Sequence, residues 1–133
     1  MSVPAFRPDS LPILLIEDEP AVMAYVCATL ERSGYRVECA NSGAEGVRML
    51  ETGEFMGVVS DMVTPGGVNG ADVYAWIEAH RPDLRSRLVF ITGDIANEKT
   101  VDTLRQTGAP CVEKPFRVAQ FISVVEKTMG KAL

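Results

Sequence analysis

Ile13-Leu14-Leu15-Ile16-Glu17-Asp18-Glu19-Pro20 is the stretch on which the fold turns. An almost wholly apolar run, Leu11 to Ile16, stops abruptly at three carboxylates and a proline. A strand buried on both faces reads as such an uninterrupted run. Pro20 suits the first turn of a helix, where its missing N–H has no partner to lose. Val22, Val26 and Leu30 then recur every four residues as that helix's buried stripe, and Gly34 stands as its C-terminal cap. A buried strand feeding directly into an amphipathic helix opens a β-α unit.

The same alternation continues outward. Tyr35 to Cys39 predicts a second strand. Ser42 and Glu45 match a capping box, ahead of a helix with Ala44, Val47 and Leu50 as its apolar face and Gly53 at its end. Phe55 to Ser60 is the third strand, Thr64-Pro65-Gly66-Gly67 a turn. Asn69 caps a helix holding Val73, Trp76 and Ile77, which stops before Pro82. Leu88 to Ile91 is the fourth strand. A largely polar helix over about 96–107 follows, anchored by Val101 and Leu104. Pro110 to Glu113 predicts a fifth strand, and Val118, Phe121, Ile122, Val125 and Met129 the stripe of a last helix. Five strands alternating with five helices imply an α/β, doubly wound parallel sheet with right-handed crossovers. Residues 1–10 carry two prolines and read as a flexible leader or linker, leaving 11–133 as one domain.

Composition agrees with a single domain and removes several function classes. The chain has 133 residues, enough to bury a core without disulfide or metal staples. Asp and Glu number 18 against 13 Lys and Arg, a net charge of -5, so no basic stripe is available for nucleic acid. Mean hydropathy is +0.09, and no apolar run approaches the roughly 18 residues of a membrane span. Pro4, Arg7, Pro8 and Asp9 interrupt any signal peptide. Cys27, Cys39 and Cys111 form no C-x-x-C pair, which leaves zinc and dithiol redox chemistry without support and a reducing cytoplasm as the expected setting.

In open α/β sheets ligands bind beyond the carboxyl ends of the strands. Those ends here are Glu17-Asp18-Glu19, Asp61, Thr92, and Lys114 followed by Pro115. Carboxylates gathered at one edge repel unless a cation sits among them, and all-oxygen ligands favour Mg²⁺. A lysine and a hydroxyl beside such a metal suit a phosphoryl group, whose oxygens need positive charge and donors. A carboxylate there can act as nucleophile and form an acyl phosphate.

Four pieces, in order and at strand ends, then resemble a family. They are Ile13 through Pro20, Ser60-Asp61 with Pro65 and Asn69-Gly70, Ile91-Thr92-Gly93, and Glu113-Lys114-Pro115-Phe116. Across about 11–130 the chain resembles the receiver domain of two-component response regulators, a flavodoxin-like fold with strand order 2-1-3-4-5. The resemblance implies that Asp61 accepts a phosphoryl group from the phosphohistidine of a histidine kinase or phosphotransfer domain. It implies Glu17, Asp18, Asp61 and the carbonyl of Val63 as Mg²⁺ ligands, and Lys114 as partner first of the acidic cluster and then of the phosphoryl oxygens. Thr92 would bond a phosphoryl oxygen and shift, changing a surface read by a downstream protein. The Lys114–Pro115 bond is expected to be cis. Relatives often pair through the fourth helix, fifth strand and fifth helix, so a homodimer is one arrangement the resemblance allows.

The chain departs from the family pattern at four places. Glu17 stands where Asp is usual, and its extra methylene is expected to put water between it and the metal. The Thr64 to Gly70 loop is one residue longer than the commonest form, and its Pro-Gly-Gly resembles receivers attached to hybrid kinases. Cys111 replaces an aromatic that often couples to the threonine shift. Val63 is apolar where a polar side chain would guide water, which predicts slow self-dephosphorylation.

The remaining features read structurally: Glu19 as a helix N-terminal charge, His80 as a surface or capping residue, and Trp76 and the methionines as packing. Gly66, Gly67 and Gly70 have neither the spacing nor the following Lys-Ser/Thr of a phosphate loop. Two rival readings have definite tests. A receiver fold that no longer phosphorylates would ignore Mg²⁺, acetyl phosphate and BeF₃⁻. A phosphohydrolase would turn over a separate phosphate ester, but the D-x-D of one such class is Glu17-Asp18-Glu19 here. A stand-alone regulator and a receiver cut from a hybrid kinase are both compatible with the sequence, the leader and the Pro-Gly-Gly loop leaning toward the hybrid.

Overall fold

The computed structural model describes residues 11–63 and 66–132. The expected leader at 1–10, and Thr64 and Pro65 of the expected turn, lie outside the described residues. In chain order the elements are β1 (Ile13–Ile16), α1 (Pro20–Arg32), β2 (Val37–Ala40), α2 (Gly43–Thr52), β3 (Gly57–Asp61), α3 (Gly70–His80), β4 (Leu88–Thr92), α4 (Glu98–Thr107), β5 (Cys111–Glu113) and α5 (Val118–Met129). All pairings are parallel, in the order β2-β1-β3-β4-β5. Order reverses at β1, with β2 on one side and β3 on the other, which opens a crevice at the carboxyl ends of β1 and β3.

The strands alternate their side chains between two cores. Ile13, Leu15, Val59, Val89 and Ile91 face α1 and α5, meeting Val26, Leu30, Phe121 and Val125. Leu14, Ile16, Val58, Leu88 and Phe90 face α2 and α3, meeting Leu50, Val73 and Ile77. Burial on both faces explains why β1, β3 and β4 read as unbroken apolar runs.

Several elements differ in detail from the sequence expectation. Strand β1 starts at Ile13, not Leu11, because Pro12 has no N–H for the ladder; its carbonyl instead accepts from Met56 N. Tyr35 precedes β2 rather than opening it, and its hydroxyl donates to the Gly130 carbonyl at 2.7 Å. Helix α1 does end as expected, with Gly34 at φ 96° one residue past Ser33. The Ser42 hydroxyl accepts from Glu45 N as expected, but the Glu45 carboxylate reaches Asn41 N at 2.7 Å rather than the Ser42 amide. Asn69 and Asp72 form the full reciprocal box on α3. Val118 is 48% exposed, because α5 turns only Phe121, Val125 and Met129 fully inward.

Helix α2 buries Gly43, Gly46 and Leu50, leaving Ala44 exposed. The reason is distance: a Cβ at Gly46 would lie 2.4 Å from Cδ1 of Ile16. Helix α2 therefore sits against β1 with no room for a side chain. Helix propensity alone would favour Ala over Gly by about 1 kcal/mol, whereas overpacking costs about 1–3 kcal/mol. Gly46→Ala is accordingly expected to lower the urea midpoint rather than raise it.

At the loop after β3, Gly66 and Gly67 take φ of 90° and 82°. Two consecutive positive φ values are open to glycine at little cost and strain other residues. Cys27 and Cys39, distant in sequence, face each other from α1 and β2. Burial and the neighbouring thiol push Cys27 up to about 11, so it stays a protonated packing group. No described helix is long and apolar enough to cross a membrane.

Candidate functional site

Glu17, Asp18, Asp61, Thr92 and Lys114, expected from the sequence at strand ends, do meet. Glu17 follows β1, Asp61 closes β3, Thr92 closes β4 and Lys114 follows β5. Parallel strands bring like ends to one edge, so residues up to 97 positions apart become neighbours. The Lys114 ammonium stands 3.5 Å from Glu17 Oε1 and 3.5 Å from Asp61 Oδ2. The Lys114–Pro115 bond is cis.

Glu17 is fully buried, and Asp61 and Thr92 nearly so, while Asp18 is exposed. Carboxylate oxygens of Glu17, Asp18 and Asp61 lie within 4.8 Å of one another. Three hard oxygen donors at that spacing fit a small divalent cation. Burial raises the Glu17 carboxyl above the ordinary range, opposed by the Glu19 amide, which donates to Oε2 at 3.1 Å, and reinforced by Asp61. Burial likewise raises Asp61, against Lys114 and the Val63 amide. Crowding of two desolvated carboxyls is what a metal ion or a phosphoryl-lysine pair would relieve.

Thr92 Oγ1 accepts from Asp94 N at 3.2 Å. Val63 is 68% exposed, so its side chain leaves the mouth of the site open to water without holding any. Cys111 is half-buried beneath α4, its thiol pushed up to about 11 by burial, Glu113 and Asp61. His80 is exposed, stacks on Trp76 at 4.6 Å, and its Nδ1 lies 3.0 Å from the Trp76 carbonyl, a helix-end contact remote from the site residues in sequence.

Two features escaped sequence reasoning. A cavity of about 250 Å³ beside Asp61, Thr92 and Lys114 is also lined by Asn97 and Thr100 of the α4 entrance. Thr100 is 3% exposed, the one fully buried residue of α4, whereas Val101 and Leu104 are only half-buried. Its spacing of four from Leu104 puts the two on one helix face, a signal masked by the hydroxyl. On the opposite flank of Lys114 an apolar groove of about 510 Å³ runs between Val22 and Tyr25 of α1 and Pro115 and Phe116.

The arrangement has its counterparts in known proteins. The family profile described as the response regulator receiver domain matches residues 13–126. The response regulator receiver protein CpdR of Brucella abortus is 28% identical over 117 residues, covering 88% of this chain and 95% of that protein. The sensor kinase CckA of the same organism is 29% identical over 124 residues, 92% of this chain but 13% of the kinase. Among solved structures, the receiver domain of a sensor histidine kinase from Pseudomonas aeruginosa PAO1 superposes with a TM-score of 0.81. It is 24% identical, covers 92% of this chain and 99% of that one, and holds a magnesium ion in its active site cleft.

Proposed function

Because the chain belongs to the response regulator receiver family, whose members are phosphorylated on an aspartate with Mg²⁺, we propose that Asp61 is its phosphoacceptor. The observation that carries this reading is the Lys114 ammonium, 3.5 Å from both Asp61 and Glu17 and lining a cavity shared with Asp61 and Thr92. An Asp61 carboxylate oxygen attacks the phosphorus of a phosphohistidine. The new P–O bond forms as the P–N bond breaks, and the imidazole nitrogen leaves with the bonding pair and takes a proton.

Glu17, Asp18 and Asp61 are the ligands we assign to Mg²⁺, with the Val63 carbonyl as a further oxygen. The ion supplies charge neutralisation for the transferring phosphoryl oxygens. Lys114 exchanges its carboxylate partners for a phosphoryl oxygen, and Thr92 offers its hydroxyl to another. Glu17 serves through Oε1, which Lys114 holds before the phosphoryl group arrives, its other oxygen being engaged by the Glu19 amide.

The phosphoryl donor is a histidine kinase or phosphotransfer domain. The apolar groove of Val22, Tyr25, Pro115 and Phe116 ends at Lys114 and gives such a partner a surface next to the reacting carboxylate. The downstream reader is a protein, and the cytoplasm is the compartment in which such a relay operates. Intact mass after incubation with Mg²⁺ and acetyl phosphate tests the reading.

The Val63 side chain has no polar atom to orient an attacking water. The aspartyl phosphate is therefore expected to persist for minutes or longer. Val63→Asn or Val63→Gln, each offering a hydrogen-bonding amide, should shorten the half-life several-fold. Phosphoryl loss followed by mass checks this; a wild-type half-life of seconds would remove Val63 as the controlling residue.

A further inference from the structure

Thr100 is a buried threonine whose hydroxyl bonds to none of the described residues. It is 3% exposed, and among the described residues its Oγ1 has no hydrogen-bond partner, while its backbone amide donates to Asn97 Oδ1 at 3.4 Å. Thr29, the comparable buried threonine of α1, satisfies its hydroxyl on the Tyr25 carbonyl at 2.8 Å. Thr100 makes no such back-bond. Unpartnered buried polar groups are rare and costly, and each calls for an explanation.

Its position supplies one. Thr100 lines the cavity of about 250 Å³ that also holds Asp61, Thr92 and Lys114. It also lines a second cavity of about 140 Å³ on the side of Met62, Val63 and Asn69. Thr100 thus stands in the wall between the reacting carboxylate and the loop after β3. It sits in the first turn of α4, whose backbone N–H groups and dipole already favour negative charge there.

The geometry points to Thr100 as a second hydroxyl donor to the aspartyl phosphate, beside Thr92, and so as the residue through which α4 itself registers phosphorylation. The inference rests on Asp61 being the phosphoacceptor. A phosphoryl group on Asp61 places dianionic oxygens in the shared cavity, each able to accept several hydrogen bonds. The Thr100 hydroxyl, stranded in the unmodified domain, gains a charge-assisted partner. That gain is present in one state and absent in the other, which is what a group must provide to bias a two-state equilibrium. Because the donor sits on α4, the bias acts on the position of that helix.

The test compares wild type with Thr100→Val and Thr100→Ser, reading melting temperature and BeF₃⁻ affinity with Mg²⁺ through amide shifts of α4. Valine keeps the shape and removes the stranded hydroxyl. It should leave the unmodified domain at least as stable as wild type, yet weaken BeF₃⁻ binding by roughly tenfold, the value of one charge-assisted hydrogen bond. Serine restores the hydroxyl and should return affinity to near wild type. A purely structural role for Thr100 would move stability and leave affinity alone. Wild-type affinity and wild-type α4 shifts in Thr100→Val overturn the inference while leaving the Asp61 reading intact. If wild type itself ignores BeF₃⁻, the Asp61 reading falls and this inference with it. Should the valine variant fail to fold, Thr100→Ala serves the same comparison.

Discussion

Asp61→Ala is expected to abolish phosphoryl uptake altogether. Wild type incubated with Mg²⁺ and acetyl phosphate should gain one phosphoryl mass, and the variant none. The physical reason is that the reaction has a single productive nucleophile. Glu17 is fully buried and held at both oxygens, Oε2 by the Glu19 amide and Oε1 by Lys114, so it cannot rotate toward an incoming phosphorus. Asp18 is exposed, but the 3.5 Å lysine contacts fall on Glu17 and Asp61 and not on it. Asp61 alone combines partial access, a lysine and the neighbouring Thr92 cavity. Omitting Mg²⁺ should also prevent the adduct, since the carboxylate cluster would then repel the donor phosphate. The alanine variant should still fold, because it removes one of two crowded, desolvated carboxyls beside an existing cavity. An adduct retained in Asp61→Ala, located on Asp18 by fragmentation, would overturn the assignment.

The distribution of what the sequence revealed has a physical pattern. Strands buried on both faces carry uninterrupted apolar runs, so β1, β3 and β4 could be found within a residue or two of their ends. The site was legible for a related reason. Parallel strands with helical crossovers put all carboxyl ends on one edge, so Glu17, Asp61, Thr92 and Lys114 could be gathered without knowing a single contact. What escaped depended on close three-dimensional approach. Helix α2 turns Gly46 to Ile16 of the sheet and Gly43 to Val68 of the loop after β3, instead of burying Ala44, because its backbone lies within a side chain's width of both. Hydrophobicity ranks alanine above glycine as a core residue, and the spacing that reverses this cannot be read along a chain. Thr100 was hidden by the same logic in reverse. A polar residue in a polar helix looks solvated, and only the folded chain shows that Thr100 is buried and borders the cavity of Asp61 and Thr92. The proximity of Cys27 and Cys39 required knowing that β2 lies under α1.

Without metal, stability is expected to fall as pH rises from acid toward neutrality through the titration of Glu17 and Asp61. Burial raises both carboxyls above their ordinary range, and it outweighs the amide bonds and Lys114 that oppose it. A group whose folded-state value lies above its unfolded value binds its proton more tightly when folded. Its contribution to stability is present in full below the unfolded value, about pH 4 for a carboxyl. That contribution is lost as pH climbs through the raised folded value. This slope is opposite in sign to that of a salt-bridged surface carboxylate. Asp61→Asn removes one of the two charges at nearly constant shape and leaves Lys114 to Glu17 alone. It should raise the melting temperature near pH 7 by several degrees, corresponding to about 1–3 kcal/mol, and flatten the pH dependence. Added Mg²⁺ should stabilise wild type at neutral pH, where the ligands are ionised, and do much less for the variant. Thermal melts of both proteins across the acid-to-neutral range, with chelator and with Mg²⁺, separate the contributions. If wild type without metal is as stable near pH 7 as in mild acid, or if the asparagine variant melts below it, the crowded carboxyls are not the source of strain at this site. Lys114 would then have to neutralise both, and phosphorylation would be driven by binding the phosphoryl group rather than by relief of repulsion.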